Sequence, residues 1–190
     1  LETGYFKLDG GAMFGVVPKT IWQKTNPADA SNMCTWSMRL LLIENGKQLI
    51  LIDTGIGNKQ DEKFFSHYYL HGEASLDSSL AKLGFNRNDI TDVFLTHLHF
   101  DHCGGAIEYN KTKNRFEPAF NNAVYWSNPR HWEWATKPNP REKASFLKEN
   151  ILPIQESGQL KMIERKADFT QNIFENIDVL YVEGHTDSIM

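Results

Sequence analysis

Cysteine is almost missing from this chain: Cys34 and Cys103 are the only two in 190 residues. That is too few for a disulfide framework, and a reducing, cytoplasmic location is expected. Neither sign of charge dominates, with 24 acidic against 20 basic residues and a net charge of -4. No general attraction to nucleic acid or anionic lipid follows, and nucleic acid is not an expected partner. No stretch approaches the ~20 apolar residues of a membrane helix and no basic-then-apolar leader opens the chain, so no membrane partner is expected. Repeats, low-complexity tracts and Ser/Gly linkers are absent, and so is the G-x-S-x-G of a serine hydrolase. What remains is one domain over residues 1–190, with 41% hydrophobic and 12% aromatic residues supporting an ordinary core. Both ends read as cut, since the chain starts at Leu1 and stops at Met190 soon after Tyr181-Val182-Glu183-Gly184-His185-Thr186. The expectation is therefore a domain whose C-terminal part is missing.

Local patterns predict a layered α/β domain. Met38 to Ile43 and Gln48 to Ile52 are β-rich runs joined by a turn containing Asn45-Gly46. Leu49 to Ile52 is continuously apolar, as in a strand covered on both faces, and runs directly into Asp53-Thr54-Gly55. Ser75 is placed to cap a helix with Leu76, Leu80 and Leu83 on one face and Gly84 at its end. Asp92 to Thr96 reads as a buried strand. Arg115 to Ala119 and Ala123 to Ser127 read as short strands about an Asn121-Asn122 turn, Pro140 to Asn150 as a helix, and Leu160 to Ile163 and Asp178 to Val182 as further strands.

The chemistry concentrates in Thr96-His97-Leu98-His99-Phe100-Asp101-His102-Cys103-Gly104-Gly105. Three imidazoles and a carboxylate fall within six positions, after a strand and before a glycine pair that lets the backbone turn. Period-two spacing puts His97 and His99 on one side of an extended segment, while Asp101 and His102 come round to a second position. Two adjacent metal positions are expected, with nitrogen and carboxylate ligands favouring Zn²⁺ and leaving Mn²⁺, Fe and Co²⁺ as alternatives.

Together with Asp53-Thr54-Gly55 and Gly184-His185-Thr186, this run resembles the metallo-β-lactamase superfamily. The resemblance implies a four-layer αββα sandwich, present here in its N-terminal part. It further implies His97, His99 and His185 around one divalent metal ion, Asp101 and His102 at a second, and Asp53 as a carboxylate orienting the ligands. A bridging aspartate and a last histidine of the family are not assignable in this chain. A narrower likeness, carried by Asp9-Gly10-Gly11-Ala12-Met13-Phe14-Gly15-Val16-Val17-Pro18-Lys19, Trp22 and the histidine run, is to the N-acyl homoserine lactone lactonases and their methyl parathion hydrolase relatives. It implies a small-molecule lactone or ester opened by a hydroxide bridging two metal ions, with Asp101 as the catalytic residue that delivers the proton to the leaving oxygen.

Rival readings are a phosphotriester or thioester hydrolase with the same nucleophile, a metal-binding domain without turnover, and a nuclease, the last disfavoured by charge. Met13-Phe14-Gly15-Val16-Val17 is either a core strand or part of a pocket wall. Trp126, Trp132 and Trp134 could line an acyl pocket or a homodimer contact, although core packing is the commoner fate of such residues. His67 and His71 lack the glutamate of a helical zinc protease, Ser79-x-x-Lys82 lacks its companion motifs, and Gly55-Ile56-Gly57 lacks a third glycine. Cys103 needs no role beyond being small.

Overall fold

The computed structural model describes residues 1–190. Strand β1 (Glu2–Asp9) leads into two helical turns, α1 (Gly10–Phe14) and α2 (Lys19–Trp22), and returns as β2 (Met33–Arg39). The two strands pair antiparallel, with Phe6 opposite Trp36 and Leu8 opposite Cys34. Asp9 caps α1 by accepting the Ala12 N–H at 3.0 Å. This turns Met13 and Phe14 into the end of a helix and leaves Val16 wholly exposed, so the segment is not a core strand.

Strands β3 (Leu41–Asn45) and β4 (Gln48–Ile52) form the hairpin expected around Asn45-Gly46. Asn45 pairs with Gln48, leaving Gly46-Lys47 as a two-residue loop with Gly46 at φ 64°. A positive φ at the first loop residue alone is the turn that suits strand twist and calls for glycine there. The apolar run from Met38 to Ile43 is not one strand. It divides at Leu40, whose N–H bonds the Leu1 carbonyl, so Met38 belongs to β2 and Leu41 to β3.

Next come α3 (Glu62–Ser66) and α4 (Leu76–Lys82). Ser75 and Ser78 cap each other's backbone at the start of α4. Leu76 and Leu80 are buried, whereas Leu83 sits at the C-cap and is 57% exposed, outside the expected apolar face. Strand β5 (Asp92–Phe94) lies parallel to β4 and is followed by the one-turn helix α5 (Phe100–Cys103). Strands β6 (Ile107–Asn110) and β7 (Arg115–Pro118) then make a hairpin, and β8 (Val124–Ser127) lies parallel to β5. The two strands flanking Asn121-Asn122 thus pair with other partners and not with each other.

Helix α6 (Pro129–Thr136) follows, with no counterpart in the sequence reading. The helix expected from Pro140 is displaced: Asn139 Oδ1 accepts the N–H groups of Arg141 and Glu142 in a local turn, and α7 (Lys148–Glu156) begins later and continues past Pro153. Strand β9 (Leu160–Met162) closes the sheet beside β8, and β10 (Phe169–Phe174) and β11 (Ile177–Leu180) form a last hairpin.

The central sheet has the order β3-β4-β5-β8-β9. Leu49, Leu51, Val93 and Tyr125 on one face pack with Leu76, Leu80, Ile151 and Ile154 of the helices. Ile50 and Phe94 on the other face pack with Phe174, Val179 and Tyr181 of the hairpin region. The alternation along β4 explains why its sequence is apolar without a break: both faces are covered. No helix is long and apolar enough to cross a membrane.

Candidate metal centre

Four parallel strands, β4, β5, β8 and β9, end on one side of the sheet, and the loops leaving the first three carry the polar residues of the site. This is where open α/β sheets place ligands. Asp53 follows β4 directly in a left-handed conformation, φ 59°. Its N–H is held by the Phe94 carbonyl at 2.9 Å. Such a φ is uncommon outside glycine and persists where surroundings dictate it. Here it aims the carboxylate across to the next loop. Oδ1 accepts the Thr96 N–H at 2.9 Å, and Oδ2 lies 2.8 Å from His102 Nδ1. Thr96 Oγ1 reaches both carboxylate oxygens and approaches His97 Nδ1 at 3.1 Å.

The pair Gly104-Gly105 does not turn the chain sharply. Gly104 is helical, φ -59°, and neither glycine has a positive φ. Their function is close approach: a Cβ on Gly104 would meet Ile56 O at 2.1 Å, and one on Gly105 would meet Thr54 O at 2.2 Å. The absence of side chains lets α5 settle on the Asp53-Thr54-Gly55 loop. There Thr54 N–H and Oγ1 both donate to the His102 carbonyl, at 2.7 and 3.0 Å.

His99 has extended backbone, φ -66° and ψ 149°, and the buried rings of His97 and His99 stand 4.7 Å apart between centroids. His185 arrives from the far end of the chain, exposed, with Nε2 3.1 Å from His99 Nδ1. Ligand atoms of His97, His99 and His185 all lie within 4.8 Å of one another. The His102 ring is 4.0 Å from that of His97, and its Nε2 lies 3.6 Å from Asp101 Oδ2. The structure therefore gathers Asp53, His97, His99, Asp101, His102 and His185 in one place.

At His97 and His99 electrostatics favour the lone pair over the proton. Burial first, then the neighbouring histidines, pushes His97 far below the ordinary histidine value, and the same causes bring His99 down to about 3. Burial also pulls on His102, but the Asp53 hydrogen bond and the charges of Asp101 and Asp53 outweigh it and raise its pKa. The Nε2 atoms of His97 and His99 are buried without a partner. Leaving such a group unpaired costs ~1–3 kcal/mol each. Neutral, converging, orphaned imidazole nitrogens are the donor set a divalent cation takes, so the residues present fit a metal ion.

Several residues of this region were not singled out by sequence. Thr96 ties Asp53 to the histidine loop. His131, on α6, is buried with both ring nitrogens engaged, by Leu98 N–H at 2.8 Å and Asp187 O at 2.6 Å. Glu142 accepts from Trp134 Nε1 and Thr186 Oγ1, both at 2.8 Å. The local signal that was available is Asn128-Pro129, a helix-start pair that marks α6.

The three tryptophans form no common wall. Trp132 is buried in the helical core, Trp126 packs on Phe174 across the sheet, and Trp134 is held by Glu142. Cys103 is fully buried, its thiol donates to Leu98 O at 3.3 Å, and burial pushes its pKa up to about 12, which disfavours a ligand or nucleophile role. His71 stacks on Tyr5 and bonds Tyr69 O, away from the site.

Comparison with known proteins gives the same direction. The family described as the Metallo-beta-lactamase superfamily matches residues 40–155. An N-acyl homoserine lactonase of Bacillus cereus is 26% identical over 170 residues, which cover 84% of this chain and 58% of that protein. A solved structure described as a probable metal-dependent hydrolase from Staphylococcus aureus superposes with a TM-score of 0.86 at 30% identity, covering 100% of this chain and 65% of that one. AidC, described as a dizinc quorum-quenching lactonase in complex with a product, superposes with a TM-score of 0.69 at 23% identity, over 99% of this chain and 63% of its own. The last likeness concerns the fold. The chain spans less than two thirds of the length of these relatives.

Proposed function

The chain belongs to the metallo-β-lactamase superfamily and has its α/β fold, and we propose that the protein is a metal-dependent hydrolase opening a lactone of the N-acyl homoserine type or a related ester. The observation that carries the metal-dependent part is the convergence of His97, His99 and His185, with two buried Nε2 atoms left without a partner. The lactone is supported by the names of the relatives, including the Bacillus cereus lactonase. Residues 1–190 are taken as part of one hydrolase domain, since they span less than two thirds of the length of the relatives.

In this reading His97, His99 and His185 hold one divalent ion, and Asp101 and His102 contribute to a second, with zinc preferred for a nitrogen and carboxylate set. When bound, the metal supplies Lewis acidity, which lowers the pKa of a water and polarises an ester carbonyl. The chain's own residues do the rest. Asp53 accepts the proton on His102 Nδ1, which leaves Nε2, 3.6 Å from Asp101 Oδ2, as the nitrogen that would hold a metal beside that carboxylate. Phe146, 4.8 Å from the His99 ring, shields one side of the site from water. In this reading Asp101 takes the proton given up by the attacking water and delivers it to the alkoxide oxygen that leaves as the ring C–O bond breaks. The product side needs no further cofactor.

The test is elemental analysis together with a panel of lactone, simple ester and phosphotriester, run on the full-length protein and on its His99→Ala variant. Chelator-sensitive lactone opening and bound divalent metal are expected in the first, and loss of both in the second. A normal metal content in His99→Ala would sink the assignment, and phosphotriester turnover without lactone turnover would move the substrate class.

A further inference from the structure

His131 comes from α6, outside the H-x-H-x-D-H run, and is 0% exposed. A backbone N–H can only donate and a backbone carbonyl can only accept. With Leu98 N–H on Nε2 at 2.8 Å and Asp187 O on Nδ1 at 2.6 Å, the ring satisfies both neighbours only as neutral imidazole with its proton on Nδ1. Neither nitrogen is then free for a metal. Leu98 lies between His97 and His99, and Asp187 lies two positions after His185. One ring therefore spans the two segments that carry the converging histidines.

The rest of α6 reinforces that link. Asn128 Oδ1 caps the helix at the His131 N–H, 2.8 Å, while Asn128 Nδ2 donates to Ser188 O at 2.9 Å. Arg130 donates to the Asp187 carboxylate at 2.9 Å. Through Glu142, Trp134 connects to the Thr186 hydroxyl. Three consecutive residues after His185 are thus gripped from one helix, but only His131 also touches the His97–His99 loop. We propose that His131 is a positioning residue that fixes the separation of His185 from the His97–His99 pair and so preforms the first metal position. This rests on the metal reading of the site given above. Removing the ring's two polar atoms leaves Leu98 N–H and Asp187 C=O to find other partners, and each does so by moving a ligand-bearing segment.

The experiment is Co²⁺ titration, followed by visible absorption and chelator competition, of the protein, His131→Phe, His131→Gln and Ala135→Gly. His131→Phe keeps a ring beside Phe146 but neither hydrogen bond, and its Co²⁺ affinity should fall roughly 10–100-fold with an altered spectrum, the usual effect of losing a group that orients ligands. His131→Gln, which offers both an acceptor and a donor, should recover most of the affinity. Ala135→Gly loosens the same helix at a buried position with no hydrogen bond to either loop, and should lower the melting temperature while leaving affinity and spectrum unchanged. A merely structural role for His131 would make His131→Phe behave like Ala135→Gly, and that result overturns the proposal. Should His131→Phe not fold, long-range ¹H–¹⁵N correlation on the unsubstituted protein decides: Nδ1–H is expected, and Nε2–H or imidazolium overturns it. Failure of the unsubstituted protein to take up Co²⁺ would overturn the metal reading and this proposal together, whereas wild-type affinity in His131→Phe overturns the proposal alone.

Discussion

His102 Nδ1 stands 2.8 Å from Asp53 Oδ2, a contact between residues 49 positions apart. It joins the end of β4 to the helix that follows β5, and the Thr96 hydroxyl bonds both oxygens of the same carboxylate. Asp53 thereby sets which nitrogen of His102 carries a proton and where the other points.

Replacing Asp53 with alanine should leave the fold intact and weaken metal binding by roughly 10 to 100-fold, because His102 is then free to rotate and change tautomer. Chelator competition on the two proteins measures this. Equal affinities would mean that the carboxylate serves only to pin the Thr96 backbone.

Gly105→Ala should be among the most damaging small substitutions in the chain. Its Cβ would sit 2.2 Å from Thr54 O, a backbone atom that cannot swing aside. Overpacking of this kind costs about 3 kcal/mol or more. Gly158→Ala supplies the comparison: its φ of 79° is strained for alanine, but nothing lies within 4 Å, so ~1 kcal/mol is expected there. Urea unfolding of both variants checks the order, and a Gly105→Ala protein as stable as Gly158→Ala would show that the two loops do not pack this closely.

What was legible in the sequence was local. The Gly46 turn, the Ser75 cap and the spacing of His97, His99, Asp101 and His102 each depend on residues a few positions apart, and each was readable as such. The glycine pair suggests a turn it does not make, because its actual constraint is Thr54 O, a neighbour only in space. The run from Met38 to Ile43 looked like one strand since nothing in it marks the break at Leu40, which is imposed by the distant Leu1. His131 carries no local signal for the same reason: its two partners lie 33 and 56 positions away. The link from Asn128-Pro129 to a helix was local and could have been drawn.

Tyr125 offers a stability test away from the metal position. Its hydroxyl is buried, donates to Ala106 O at 3.0 Å and accepts the Phe120 N–H at 3.1 Å, tying β8 to the segments before β6 and after β7. Tyr125→Phe removes the hydroxyl and leaves the Phe120 N–H without its acceptor, and should cost ~1–3 kcal/mol in denaturant unfolding. A loss below ~0.5 kcal/mol would mean that water takes the place of the hydroxyl.

The metal-free protein should lose stability as the pH falls from 7.5 to 5, before most carboxylates titrate. Burial lowers the pKa values of His97, His99 and His131, with His99 at about 3, against ~6.5 in an unfolded chain. Between those two values the unfolded state binds protons that the folded state refuses, so stability rises with pH across that window and is lost on acidification. His102 acts in the opposite sense, since its raised pKa gives stability that is complete below 6.5 and lost as the pH climbs through the folded value. Three lowered groups against one raised group leave the acid-side loss dominant, with a maximum near neutrality. Urea midpoints at half-unit pH steps in the presence of chelator measure the curve. His99→Gln, which cannot titrate, should give a shallower acid-side slope than the unsubstituted protein. A flat profile from pH 7.5 to 5 would show that these imidazoles are solvated and unshifted, and with that the case for buried, unprotonated ligands would fall.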